Sequence, residues 1–277
     1  MFSHILFKGP RRVWERHGLK ENRGPRTYFA MKRSVLFFMV AILLGVGLQS
    51  CDREDNNGDN NGGNNGGNNG GNNGGNSSSV VWVDLGLPSG LLWADRNVGA
   101  SALEDYGNYY AWGETTPKNV YSWSTYAFGN DDGKLTKYCN KASYGLNGFT
   151  DNQTILQASD DAATANLGGG ARTPTKNEWE ELIDYTTSIW IVLNGVNGHL
   201  LTGSNGKSLF LPAAGAPFGP SIDGTGEFGF YWSSALYLDY PGLAWAFGFS
   251  SGREGMYASA SYRYEGYPVR AVRASQH

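Results

Sequence analysis

The sequence predicts an α+β domain built mostly from antiparallel strands, on three observations. Short apolar runs flank strong turn signals at several places. One stretch carries a complete helix-start signature followed by apolar spacing of period 3.6. The connections between these elements are long, Gly-rich and aromatic, and no repeat of solenoid or propeller length is visible.

In chain order, Val80–Leu85 and Leu91–Val98 read as two strands around Pro88-Ser89-Gly90. "SDDAATANLGGG" predicts a short helix, with Ser159 as its cap, an Ala-rich interior and Gly168 as its stop. "RTPTKNEWEELIDYTT" predicts a stronger one. Thr175 and Glu178 stand in capping-box spacing, and Trp179, Leu182 and Ile183 fall on one face. "HLLTGSNGKSLFLPAAG" predicts a hairpin turning at Asn205-Gly206. "FYWSSALYLDYPGLAWAFGFSS" predicts another, with Pro241 and Gly242 placed for a type II turn. Its second strand puts Leu243, Trp245, Phe247 and Phe249 on a core face, and Ala244, Ala246, Gly248 and Ser250 on a face open to close approach. "YPVRAVR" closes the domain in strand alternation.

Ahead of this domain the composition changes completely. Met31-Lys32-Arg33 precede an uncharged run of 14 residues, Val35 to Leu48. As a helix it would span roughly 21 Å, short of a bilayer's hydrocarbon core of about 30 Å. Residues 31–50 therefore read as a signal peptide. Leu48-Gln49-Ser50-Cys51 resembles a bacterial lipobox, which implies cleavage between Ser50 and Cys51 and acylation of Cys51. An ordinary secretory signal with a cysteine near its cleavage site is the alternative. Residues 1–30 carry seven Lys/Arg, two Glu and no apolar periodicity; they read as an upstream mis-start or an extended n-region.

Residues 51–79 form a tether. Asp52, Glu54 and Asp55 resemble the acidic surface-export signal of Bacteroidales lipoproteins, or are simply a solvated charge run. NNGG then repeats four times from Asn60, and such a segment has no apolar area with which to offset the entropy of ordering. The expected location is the bacterial outer membrane, at the cell surface, held by the lipid.

The net charge of −3 conceals an asymmetry. Residues 1–50 hold nine Lys/Arg and two Asp/Glu, which leaves 13 against 23 from Cys51 onward, a net −10. That excludes nucleic acid as an expected partner. Of the two cysteines, lipidation of Cys51 would leave Cys139 alone, so the domain is expected to rely on its core and not on a disulfide.

Six segments stand in order: "VDLGLPSGLLWADRNVGA", "YYAWGETTPK", "DDAATANLGGGARTPTKNEWEELI", "GKSLFLPAAG", "YWSSAL" and "YPVRAVR". Together they resemble the Fibrobacter succinogenes major paralogous domain over nearly all of Val80–Arg273, giving a domain at 80–274 and a tail at 275–277. The resemblance implies a C-type-lectin-like fold shared with formylglycine-generating enzymes. That fold has a twisted, mostly antiparallel sheet, two helices, long loops and chain ends that pair beside each other.

The residues supply little for catalysis. Formylglycine-generating chemistry in the related folds needs a cysteine pair, whereas this domain holds Cys139 only. His199 reads as an edge or partly buried structural residue, and one His with one Cys makes no transition-metal site. The carboxylate pairs Asp160-Asp161 and Glu180-Glu181 lie in or beside helices, where neighbours point about 100° apart. Calcium enters only through the lectin resemblance. No EPN-like or WND-like segment is present, "YWSS" standing in place of such a triplet, and the loop Asp131-Asp132-Gly133 lacks spaced partners. No cofactor is expected, with calcium the one ion left open.

Aromatic residues remain. Most of Trp82, Trp93, Trp112, Trp179, Trp232 and Trp245 are expected in the core, and Arg270 and Arg273 are expected to pair with buried carboxylates. Trp123, Tyr237, Tyr240 and Tyr257, with Tyr262 and Tyr264, are the candidate ligand-binding residues, at loops or strand ends. The expected function is a non-catalytic, lipid-anchored module that binds a glycan or protein ligand. A structural component of an envelope complex is the alternative, and a carboxylate-dependent enzyme a third.

Overall fold

A computed structural model describes residues 80–218 and 221–275. The strands are β1 (Trp82–Asp84), β2 (Leu92–Ala94), β3 (Thr186–Leu193), β4 (Val196–Gly203), β5 (Ser208–Pro212), β6 (Ala216–Phe218), β7 (Ser221–Asp223), β8 (Phe228–Leu236), β9 (Leu243–Ser250), β10 (Arg253–Tyr262) and β11 (Val272–Arg273). Among the described residues the α-helices are α1 (Ala162–Leu167) and α2 (Lys176–Tyr185). The architecture is mixed α+β, with small antiparallel sheets ordered β1-β2-β11, β10-β9-β8, β3-β4-β5 and β6-β7.

The predicted hairpins form. β1 pairs with β2 across Pro88-Ser89-Gly90, Val83 opposite Trp93, and β4 pairs with β5 across Asn205-Gly206. Gly206 takes the left-handed φ of 78° that such a turn requires. Tyr240–Leu243 closes a turn through Leu243 N–H to Tyr240 O at 2.8 Å. It is not type II, because Gly242 is not among the residues with positive φ. Pro241 suits the first central position of type I equally well, so proline alone does not choose between them.

Both helices follow from their ends. Thr175 Oγ1 accepts from Glu178 N–H while Glu178 Oε2 accepts from Thr175 N–H, the capping box read from the sequence. α1 is capped by Asp161, not Ser159. The Asp161 carboxylate accepts from Ala163 and Thr164 N–H and also from Thr173 N–H and Oγ1, whereas Ser159 lies in the preceding 3-10 turn and donates to Asp160. A carboxylate can satisfy all four donors at once; a hydroxyl cannot.

β9 is covered on both faces. Ala244 and Ala246 pack in one hydrophobic cluster with Trp112, Trp232 and Tyr267, and Phe247 and Phe249 in a second with Trp93, Trp179 and Leu211. The small residues are thus the seat of a second core layer. α2 lies across the other face, stacking Trp179 on Phe247 at 5.5 Å between ring centroids. One turn earlier, Lys176 Nζ stands 4.9 Å from the Trp245 ring. Trp245 is therefore half-buried at the margin, as is Trp82; Trp93, Trp112, Trp179 and Trp232 are fully buried.

The first and last strands flank β2 and do not pair with each other: Val272 lies opposite Trp93, and Arg172 bridges to Val272. Arg270 is fully buried but meets no carboxylate. Its guanidinium donates to Asn97 Oδ1 and to the carbonyls of Ala94, Asp95 and Phe210. Burial pulls its pKa down to about 10. Four acceptors satisfy a buried guanidinium without the desolvation cost of a second charge.

Candidate binding face

Arg263, immediately after β10, is the residue from which this face is built. It is fully buried, between the rings of Trp112 and Tyr126 at 4.9 and 5.2 Å. Its Nε donates to Tyr126 Oη at 2.9 Å, Nη1 to the carbonyls of Tyr138 and Pro241 at 3.2 and 3.1 Å, and Nη2 to Lys137 O at 3.0 Å. One cation thereby holds three loops that are distant in sequence. Burial raises the Tyr126 phenol above its ordinary value, so it stays neutral while its oxygen accepts a hydrogen bond from the guanidinium Nε–H.

Aromatic side chains gather around these loops. Trp123, in a 3-10 turn, meets Tyr264 and Tyr262 edge-on at 5.1 and 6.3 Å, and the two tyrosines stack at 5.4 Å. Gly242 lies against the Trp123 ring, where an added Cβ would touch it at 3.7 Å. Beyond that turn Tyr237 stacks on Tyr240 at 6.3 Å, Tyr144 meets Tyr240 edge-on, and Tyr237 meets Trp245 edge-on at 4.9 Å. Tyr240 and Tyr262 are about half exposed, at 54% and 49%. Asn140 Nδ2 and Lys141 Nζ hold the intervening loop through the carbonyls of Leu238 and Asp239 at 3.0 and 2.7 Å.

Beside this strip runs a groove of about 310 Å³ lined by Trp245, Ile155, Leu238, Lys176 and Asn177. Lys176 also pairs with Glu180. A half-buried indole, exposed aliphatic groups and a cation, an amide and a carboxylate at the rim can stack a flat apolar face and bond the polar groups around it.

Of the aromatics singled out in the sequence, Trp123, Tyr237, Tyr240, Tyr262 and Tyr264 are brought together. Tyr257 is not. It lies within β10 opposite Gly248, packed against Phe230 at 6.2 Å and beneath Arg253 at 4.0 Å. Five residues separate it from Tyr262, roughly 17 Å along an extended strand. Tyr144, Trp245, Lys176 and Asn177 were missed. No sequence signal marked them: Trp245 alternates with the core residues of its strand, and only the reach of α2 leaves it at the margin. Ser50, Cys51 and the tether lie outside the described residues.

The candidate acids are engaged elsewhere. Asp160 accepts from Lys137 Nζ and Tyr138 Oη. Burial opposes its charge, but these donors hold its carboxyl below the ordinary range. Asp161 caps α1, Glu180 pairs with Lys176, and Glu181 accepts from Ser89 N–H at 2.8 Å. His199 is on the inner strand β4, buried against Trp190 and Phe249, with Nδ1 bonded to Ser188 Oγ and Nε2 without a partner. Burial lowers its pKa. Cys139 is buried. Asp131 and Asp132 are exposed, and no group of three or more His, Cys, Asp or Glu is placed to hold a metal among the described residues.

Comparison with protein-family models, with curated proteins and with solved structures found no match.

Proposed function

We propose that this chain is a lipid-anchored surface protein presenting a C-type-lectin-like module of the Fibrobacter succinogenes major paralogous domain kind, which binds a glycan without catalysis. The six ordered motifs and the mixed α+β architecture support the family and fold. The observation that carries the ligand class is the aromatic strip beside the Trp245 groove. Sugar rings offer a flat C–H face to an aromatic ring and a belt of hydroxyls to polar neighbours, which is the combination found here.

The test is a glycan array probed with the full chain in mild detergent, with and without calcium. Selective binding is expected, and Tyr240→Ala and Trp245→Ala should each weaken it about tenfold, roughly 1.4 kcal/mol. Calcium dependence would add an ion to the site. No binding by a folded, monodisperse sample would turn the assignment toward a structural role in an envelope complex. Exposed Ile155 and Leu238 in the same groove favour that second role.

A further inference from the structure

A second groove, of about 500 Å³, opens where β1 and β11 flank β2, and shares no residue with the aromatic strip. Its chemistry is set by Arg273. The guanidinium lies 4.5 Å from the Trp82 ring centroid, and Nε is buried with no hydrogen-bond partner. The register explains the contact: Trp82 lies opposite Ala94 and Arg273 opposite Leu92, two positions on the same face of β2.

The other cations lining clefts among the described residues have acids. Lys118 pairs with Glu114, Arg172 with Glu178 and Lys176 with Glu180. Among the described residues Arg273 has none, and no Asp or Glu lines its groove. In a chain that carries −10 from Cys51 onward, that is a local reversal of sign. Nε is buried, but a guanidinium stacked on an indole can still offer its two in-plane Nη groups, and their planar fork matches a carboxylate.

The remaining wall suits a polyol. Asn166 Nδ2 donates to Thr115 O and Ala162 O, leaving Oδ1 to accept from a hydroxyl. Gly168 and Gly169, at φ 59° and 58°, have open space where a side chain would stand, so main chain forms this part of the wall. The volume lies within the usual range for small-molecule sites, roughly 300–1,000 Å³. We propose that the Arg273–Trp82 groove is a binding site for a sugar acid, with Arg273 bonding the carboxylate and Asn166 accepting from a ring hydroxyl.

The experiment measures binding of glucuronate, glucose, acetate, inorganic phosphate and a di-glutamate peptide to the full chain in detergent, by calorimetry and ligand-observed NMR. Glucuronate should bind at least tenfold more tightly than glucose, and acetate should compete with it weakly. Arg273→Gln should lose at least tenfold in glucuronate affinity with the melting temperature unchanged. Arg273→Lys, which keeps the charge without the fork, should lose part of it and serves if the Gln variant does not fold. Trp245→Ala should leave glucuronate binding intact, and Arg273→Gln should leave any array-detected neutral glycan bound, so the two sites stand or fall separately. Equal binding of glucose, competition by phosphate as strong as by glucuronate, tighter binding of the peptide, no glucuronate binding, or an Arg273→Gln or Arg273→Lys variant with unchanged affinity would each overturn the assignment.

Discussion

Arg263 and Arg270 show how single residues set the interior of this domain. Both are fully buried, and both are satisfied chiefly by main-chain carbonyls of segments remote in sequence. Replacing Arg263 by Met would remove the donor and strand several buried acceptors, each costing about 1–3 kcal/mol. A loss of at least about 3 kcal/mol is expected in urea unfolding, together with loss of ligand binding. Two other residues set the response to acid. Burial holds His199 below its ordinary 6.5, so its contribution is complete above that pH and is lost as pH falls through the lower folded value. Glu178 is partly buried, which opposes its charge, yet Arg172 and Thr175 N–H bring it below its ordinary 4.5; its contribution is present above that pH and fades beneath it. Melting temperature should therefore fall in two stages between pH 8 and pH 3. His199→Gln should remove the first stage, and Glu178→Gln should shrink the second, which Asp160 shares. The sequence showed Glu178 as a capping residue because its partner is three residues away; it misassigned the partners of Arg270 because they come from two other segments, 94–97 and Phe210, far away in the chain.

At the level of elements, local chemistry was legible at several turns and caps that sit within a few residues of what they organise. The hairpins at Pro88–Gly90 and Asn205-Gly206 and the start of α2 are of this kind. Four strands were missed, the short β6 and β7 and the longer β3 and β10. β3 follows α2 without a break and turns into β4 at Asn194-Gly195, both with positive φ; that Asn-Gly pair was the available signal. β10 gives little periodicity, because a register shift between Arg253 and Tyr257 interrupts its pairing with β9. Close packing between elements was invisible as well. Gly203, at the end of β4, lies so near the first hairpin that a Cβ would stand 1.9 Å from Leu85 O. Gly203→Ala should destabilise the domain by about 1–3 kcal/mol through backbone displacement, read as a lower midpoint in denaturant. Gly206→Ala meets open space, so strain from its left-handed φ is its only penalty, about 1 kcal/mol in the same assay.

Across the whole molecule, the sheets divide the core into two aromatic-rich clusters, and the loops at one end are drawn together by Arg263. Deleting exposed rings there should affect binding and not folding. Tyr240→Ala, at a residue more than half exposed, is expected to shift melting by no more than about 0.5 kcal/mol equivalent while weakening the ligand, whereas Trp179→Ala should cost about 3–5 kcal/mol. By itself the sequence determined the α+β class, the helix start at Thr175, three hairpins and the shift to an Asn/Gly composition before Val80. Those depend on residues a few positions apart, where backbone preference and side-chain periodicity act directly. Only the tertiary structure decided which aromatics share a face, that Tyr257 stands apart, that Trp245 borders a groove and that Arg273 has no acid beside it among the described residues. Each depends on how far a helix reaches over a strand, or on which strand lies beside which, and those distances are set by packing among segments remote in sequence.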